Sequence, residues 1–208
     1  MFSSRKIDMT KGPIMRLIIL FALPLCAGNI LQQLYGTVDT MIIGNFCGST
    51  SLAAVGTGTL PGELLLCFFL GFGTGVSILV SQYTGSGDTS NLKELAATAI
   101  TFLFIGGAII SLLGFFLGPA LLKLMQCPDD TWDQAVTYVR IIFVGCIGNL
   151  GYNMNAGILR GLGDSSSSLI FLVISCVINI VLDLVFVALL GMDVTGAALA
   201  TIIAMLAS

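Results

Sequence analysis

Residues 168–190 read SLIFLVISCVINIVLDLVFVALL, with Asp183 as the single formal charge. Coiled as a helix, a run of this length covers about 35 Å at 1.5 Å per residue, more than the roughly 30 Å of a bilayer's hydrocarbon core. The rest of the chain has the same character: of 208 residues, 56% are hydrophobic and 9% charged, with a mean hydropathy of +1.04. A soluble domain carries about 25% charged residues. Eight Lys/Arg and eleven Asp/Glu cannot clothe an exterior that faces water. This composition excludes a secreted disulfide scaffold, a disordered tail and a basic nucleic-acid-binding domain. No nucleic-acid partner is expected, and the lipid bilayer is the first partner.

Cutting the chain at charges and at Gly/Pro/Ser clusters predicts six spans, approximately residues 14–43, 52–83, 92–125, 134–159, 168–190 and 197–208, after a short segment 1–13. The expected fold is therefore all-α, a polytopic bundle of six transmembrane helices. The first three spans exceed the length of a crossing, which implies tilt, kinks or projection into the interface. Pro24 removes a backbone donor inside the first span and is expected to bend or break it, whereas Pro13 suits a first helical turn. The last segment offers roughly 12 residues, about 18 Å of helix. It reads as an incomplete sixth span, either because the sequence is a fragment or because something else completes the helix.

Arg5, Lys6, Lys11 and Arg16 precede or open the first span, so the positive-inside rule places the amino terminus in the cytoplasm. With that start, Lys93 and Arg160 fall in inner connections. The outer loops hold Asp129, Asp130, Asp133 and Asp193, with Lys123 as their one base. The first apolar run is too long for a signal peptide and lacks a small-residue cleavage site. A multi-pass plasma-membrane protein is the expectation. Four of six cysteines (Cys26, Cys67, Cys146, Cys176) fall in spans, where small apolar roles suffice, and Cys47 and Cys127 share only a side of the membrane.

Charge inside a span costs several kcal/mol and by default points to function. The candidates are Asp39, Glu63, Arg140 and Asp183. Glu63 and Arg140 fall near the outer surface, where Arg can snorkel and the two could pair. Asp39 completes a stripe with Gln32 and Tyr35 at i, i+3 and i+7; Asp183 follows Ser175 and Asn179 at i, i+4 and i+8. Tyr138, Asn149, Tyr152 and Asn153 form a third polar face. Counting about 1.5 Å per residue puts Asp183 roughly 22 Å from the inner start of its span, and Thr201 and Tyr138 about 6 to 8 Å from the outer starts of theirs. Asp39 also lies in the outer half. Two carboxylates, an amide, a hydroxyl and a phenol at one depth make a cation or proton site. Oxygen ligands suit a hard cation, and a desolvated carboxyl beside a like charge holds a proton instead. With no His in the chain, carboxylates are the titrating groups. The plain alternative is that each carboxyl only bonds a neighbouring helix.

Two motifs mislead. Gly161-Leu162-Gly163-Asp164 spells the GxGD of intramembrane aspartyl proteases, but Arg160 and Ser165 to Ser168 surround Asp164 with polar loop. Gly71-Phe72-Gly73-Thr74-Gly75 lacks the Lys-Ser/Thr of a phosphate cradle. Close helix packing explains that run better, as it explains the GxxxG spacings Gly44/Gly48, Gly58/Gly62, Gly114/Gly118 and Gly157/Gly161.

Blocks spread along the chain resemble the multidrug and toxic compound extrusion (MATE) family. They are Met9-Thr10-Lys11-Gly12-Pro13, Ala22-Leu23-Pro24, Gln32-Gln33-Leu34-Tyr35 to Val38-Asp39-Thr40, Leu52-Ala53-Ala54-Val55-Gly56, and Ser81-Gln82-Tyr83-Thr84-Gly85-Ser86-Gly87-Asp88. Further on come Arg160 to Asp164, Asn179 to Asp183, and Gly196-Ala197-Ala198-Leu199-Ala200-Thr201. The resemblance implies the amino-terminal six-helix half of a twelve-helix antiporter, whose carboxy-terminal half is absent here. It implies a coupling site of Asp39, Asn179 and Asp183, which would be the ligands if the ion is sodium, with Tyr35, Tyr138 and Thr201 nearby and Pro24 as the helix bend. Gln32, Asn149 and Asn153 are the expected substrate-cavity residues. The implied activity is not enzymatic: sodium ions or protons exchange for cationic amphipathic drugs, with no cofactor beyond the coupling ion. Ser165 to Ser168 depart from the family, which often has a basic residue or proline there. Two alternatives remain: a non-transporting half that needs a partner, and a lipid-linked oligosaccharide or lipid flippase of the same superfamily, for which Arg140 is the one base available in the cavity.

Overall fold

The computed structural model describes residues 12–207, and backbone alone at 64–66, 68 and 69. Arg5, Lys6, Lys11 and most of the segment 1–13 lie outside the described residues, as does Ser208. Everything described is helix or connecting turn, as a chain in hydrocarbon requires, since a helix satisfies its own backbone groups.

Helix α1 (Ile14–Phe46) follows Pro13, whose extended backbone leads into the first turn, and it runs through Pro24 without interruption. The expected break is absent, because a neighbouring helix can cover the freed carbonyl that a soluble helix would expose. α2 (Gly48–Ser86) and α3 (Thr89–Leu124) likewise contain Pro61 and Pro119. Gly87 closes α2 in the left-handed region (φ 72°), and Asp88 caps α3 by accepting from the Asn91 backbone N–H at 3.1 Å.

The stretch read as one span over 134–159 is two helices, α4 (Trp132–Val144) and α5 (Cys146–Gly161), bent by 47°. The bend falls at Gly145, where an added Cβ would sit 2.1 Å from Ile202 Cγ1. Next comes α6 (Ser165–Asp183), which continues as one π-helical stretch over Leu184–Leu189. A turn through Gly191 (φ 63°) leads to α7 (Asp193–Ala207). Among the described residues, Ile14–Phe46, Thr89–Leu124 and Ser165–Leu189 are long and apolar enough to cross a membrane, and the bent α4/α5 pair adds a fourth if its two limbs count as one span.

The bundle is inverted relative to a soluble protein. Large apolar side chains such as Ile14, Phe104, Leu112, Phe116 and Leu206 are exposed, while Ala135, Ala197, Ala198 and Ala200 are buried. Helices approach through small residues, as lipid-embedded bundles do. α2 lies along α4 and α5, α1 against α6, and α6 against α7. The Gly157/Gly161 spacing puts α5 directly on the α2 backbone: a Cβ at Gly157 would fall 2.7 Å from the Gly73 carbonyl oxygen, and one at Gly161 2.7 Å from that of Ser77. Gly114 of α3 lodges against the Phe143 ring in the same way.

All six cysteines are free thiols. At the α1–α2 turn, burial and the neighbouring Asp193 push the Cys47 thiol up to about 11.

The α2–α5 seam makes a matched pair of substitutions informative. Gly157→Ala forces backbone apart and is expected to cost about 1–3 kcal/mol. Gly71→Ala, with nothing within 4 Å of the added Cβ, should be neutral or slightly stabilising. Thermal unfolding in detergent checks both; equal midpoints would show that the seam tolerates separation.

Candidate functional site

The polar stripes of four helices converge on one cavity of about 240 Å³. α1 supplies Gln32, Tyr35 and Asp39 at helical spacing, α4 supplies Tyr138, α5 supplies Asn149 and Asn153, and α7 supplies Thr201. Tyr138 is held in place by Gly58 of α2, where a side chain would meet the phenol ring at 2.8 Å. Asn153 Nδ2 donates to the Asn149 carbonyl at 2.9 Å and to Asn149 Oδ1 at 2.6 Å, which joins the two amides.

Asn179 and Asp183 lie behind this wall, both with zero exposure. Asp183 is the last residue of regular α-helix before the π-helical turns, a wider winding found often at functional sites. Its carboxyl and that of Asp39 come within hydrogen-bonding reach of each other. Thr201 donates its hydroxyl to the Ala197 carbonyl at 3.0 Å, leaving a lone pair that faces Asn179 Nδ2 at 3.4 Å. The Tyr35 phenol lies beside Thr201. With the Asn179 amide nitrogen turned toward Thr201, its oxygen is left without a donor.

The result is a surplus of acceptors. Asp39 Oδ1, both oxygens of Asp183 and Asn179 Oδ1 are all buried without a hydrogen-bond partner. Two ionised carboxylates about 4 Å apart repel by roughly 4 kcal/mol at an effective dielectric near 20, before desolvation is counted. A proton or a small cation is the guest that turns such a set from repulsive to cohesive. Among the described residues no group of three His, Cys, Asp or Glu side chains assembles to hold a metal.

The other residues singled out in the sequence have varied surroundings. Pro24 does not reach the main cavity and lines a second, smaller one. Glu63 faces the main cavity; its spacing from Thr59, at i and i+4 on α2, is the sequence signal that would have found it. Arg140 is exposed and stacks over the Phe115 ring at 5.1 Å, and no ion pair to Glu63 forms. Asp164 caps α6, accepting from the Ser167 N–H at 3.0 Å and the Ser167 hydroxyl at 2.7 Å, so its carboxylate is committed to structure.

The profile of the MatE family matches residues 24–185. Over 197 residues the chain is 33% identical to the "Probable multidrug resistance protein YpnP" of Bacillus subtilis, covering 94% of this chain and 44% of that protein. It is also 33% identical over 205 residues to "Probable multidrug resistance protein YoeA" of the same organism, covering 96% and 44%. Among solved structures, an outward-facing "multidrug resistance MATE family transporter of the MOP superfamily" superposes with a TM-score of 0.91 at 26% identity, over 100% of this chain and 46% of that one. The chain belongs to the MatE family, and its fold is that of the amino-terminal half of such a transporter. It spans less than half the length of the curated relatives it matches.

The unsatisfied acceptors give a stability prediction. Asp183→Asn removes one buried charge and offers Asp39 Oδ1 a donor. In sodium-free, mildly alkaline buffer the variant should melt higher than the parent by several degrees, about 1–3 kcal/mol. Its midpoint should also depend less on pH and sodium. A midpoint lower than the parent's under all conditions would mean the pair only ties α1 to α6.

Proposed function

We propose that this chain is the ion-coupled half of a secondary active multidrug antiporter in the plasma membrane, with its amino terminus in the cytoplasm. One observation supports this reading above the others: four buried acceptor oxygens, from Asp39, Asn179 and Asp183, converge with no donor among them. Loading by a sodium ion or a proton cancels one of the pair's two negative charges, relieves the repulsion and draws α1 toward α6. Unloading restores the repulsion, so the two states differ in helix packing and therefore in affinity for a ligand in the adjoining cavity. Tyr35 and Thr201 bridge the two sites, since both line the cavity and Thr201 also meets Asn179. Asp39, Asn179 and Asp183 would hold the ion, while Gln32, Tyr138, Asn149 and Asn153 would face the substrate.

The charges that line the cavity are Asp39 and Glu63, with no Lys or Arg among its described residues. Such a wall favours an organic cation with apolar bulk and argues against the phosphate-bearing cargo of a lipid flippase. The multidrug descriptions of YpnP and YoeA agree with that class. Because the chain covers 44% of each, export is proposed to need a second six-helix half against which this one rocks.

The test places this chain in the matching segment of YpnP and compares the chimera with the chain alone, in liposomes under an imposed sodium or proton gradient. A fluorescent organic cation is the cargo. Gradient-driven flux is expected in the chimera, about 10-fold or more reduced by Asp39→Asn or Asp183→Asn, and none from the chain alone. Normal flux in Asp183→Asn at equal abundance would remove that carboxylate from the coupling site.

A further inference from the structure

A second cavity, of about 80 Å³, lies where α1, α5 and α6 meet. It does not hold the acidic pair. Its wall includes Asn29 of α1, Arg160 at the last turn of α5, and Ser165 and Ser168 from the first turn of α6. No carboxylate is among its described lining residues, and Arg160 is its one charge. Its polarity is thus opposite to that of the acidic cavity.

Three observations converge on a ligand. Ser165 is 1% exposed, and its hydroxyl has no hydrogen-bond partner although it sits in a wall with room beside it. An orphaned buried hydroxyl is uncommon and calls for an occupant. Arg160 spends its Nε on the Ala156 carbonyl at 3.0 Å and has no ion-pair partner among the described residues, leaving the terminal nitrogens for something else. The start of α6 adds the favourable end of a helix dipole. Asp164, the cap of α6, is not among the lining residues, and its carboxylate is occupied by the Ser167 N–H and hydroxyl. A single water needs roughly 10–15 Å³ of such volume, so the space suits a tetrahedral oxyanion.

We propose that the α1–α5–α6 junction is an anion site that takes a phosphate group, through Arg160, Ser165, Ser168 and Asn29. The group can arrive as free inorganic phosphate or as the headgroup of an anionic phospholipid. The assignment stands apart from the ion-coupling reading, because none of these four residues borders the acidic cavity. The two cavities still share wall, through Gln32, Tyr152, Asn153 and Leu172. Occupancy of one will therefore be felt in the other. Pro24 lies on the rim of the anion cavity, so a bound phosphate also ties α1 to α6 beside its proline.

The experiment follows thermal unfolding of the full chain in detergent while inorganic phosphate is titrated against chloride at matched ionic strength. Phosphate is expected to raise the midpoint by about 3 °C or more at saturation. Arg160→Gln and Ser165→Val, the second filling the cavity with a branched side chain, should abolish the shift. Should either fail to fold, Ser165→Ala removes only the hydroxyl and should weaken the phosphate response about 3–10-fold. A second arm uses nanodiscs of phosphatidylcholine with or without phosphatidylglycerol, read by native mass spectrometry. A phosphatidylglycerol retained by the parent but lost in Arg160→Gln, together with loss of the phosphate shift, identifies the headgroup as the source. A phosphate shift that persists in phosphatidylglycerol identifies the free ion. Equal phosphate shifts in the parent and the variants, or neither a shift nor a retained lipid, would overturn the site.

Discussion

Asp39, Asp183 and Asn179 bring acceptor oxygens together inside a helix bundle, and Asp39 Oδ1, both oxygens of Asp183 and Asn179 Oδ1 receive no hydrogen bond. In water this would matter little, because solvent would supply the missing protons. In a bilayer an unmatched polar group costs several kcal/mol, so the arrangement cannot be indifferent to what fills it. The surrounding features follow from that constraint. Thr201 turns its hydroxyl to the Ala197 carbonyl and so fixes which way the Asn179 amide faces. The helix carrying Asp183 changes its winding immediately after that residue. Tyr35 and Tyr138 line the same cavity as Asp39.

Such a site is built only if helices come close, and small residues bring them close. Gly157 and Gly161 seat α5 on the α2 backbone, and Gly114 admits the Phe143 ring. Gly145 allows α4 and α5 to bend by 47° around Ile202, so that Tyr138 on one limb and Asn149 and Asn153 on the other face the same cavity. Straightening that pair would carry one set away from the other.

The all-α membrane architecture was legible because composition decides it: no other fold tolerates so few charges over this length. The faces bearing Gln32, Tyr35 and Asp39, and Ser175, Asn179 and Asp183, were legible from the 3.6-residue period. That Asp164 belongs with polar loop residues followed from its neighbours in the chain, whereas its capping of α6 is seen only in the structure. What escaped depends on tertiary packing. Nothing near Gly145 in the chain announces a bend, because its cause, Ile202, comes from another helix. The course of α1 through Pro24 depends on helices beside it, and a proline in isolation argues for a break. Glu63 was read by its depth alone, and only the placement of α2 turns it to the cavity. Arg160 and Ser165 read as loop residues, since their cavity exists only once α1 lies across the α5–α6 junction.

The central claim is that the Asp39–Asp183 pair carries an exchangeable proton or cation. Infrared difference spectroscopy on the purified chain, recorded against pH with and without sodium, observes this directly. A protonated carboxyl band should appear in the parent, respond to pH or sodium, and vanish in both Asp39→Asn and Asp183→Asn. A spectrum without a titrating carboxyl band, and unaltered by either substitution or by sodium, would contradict the account.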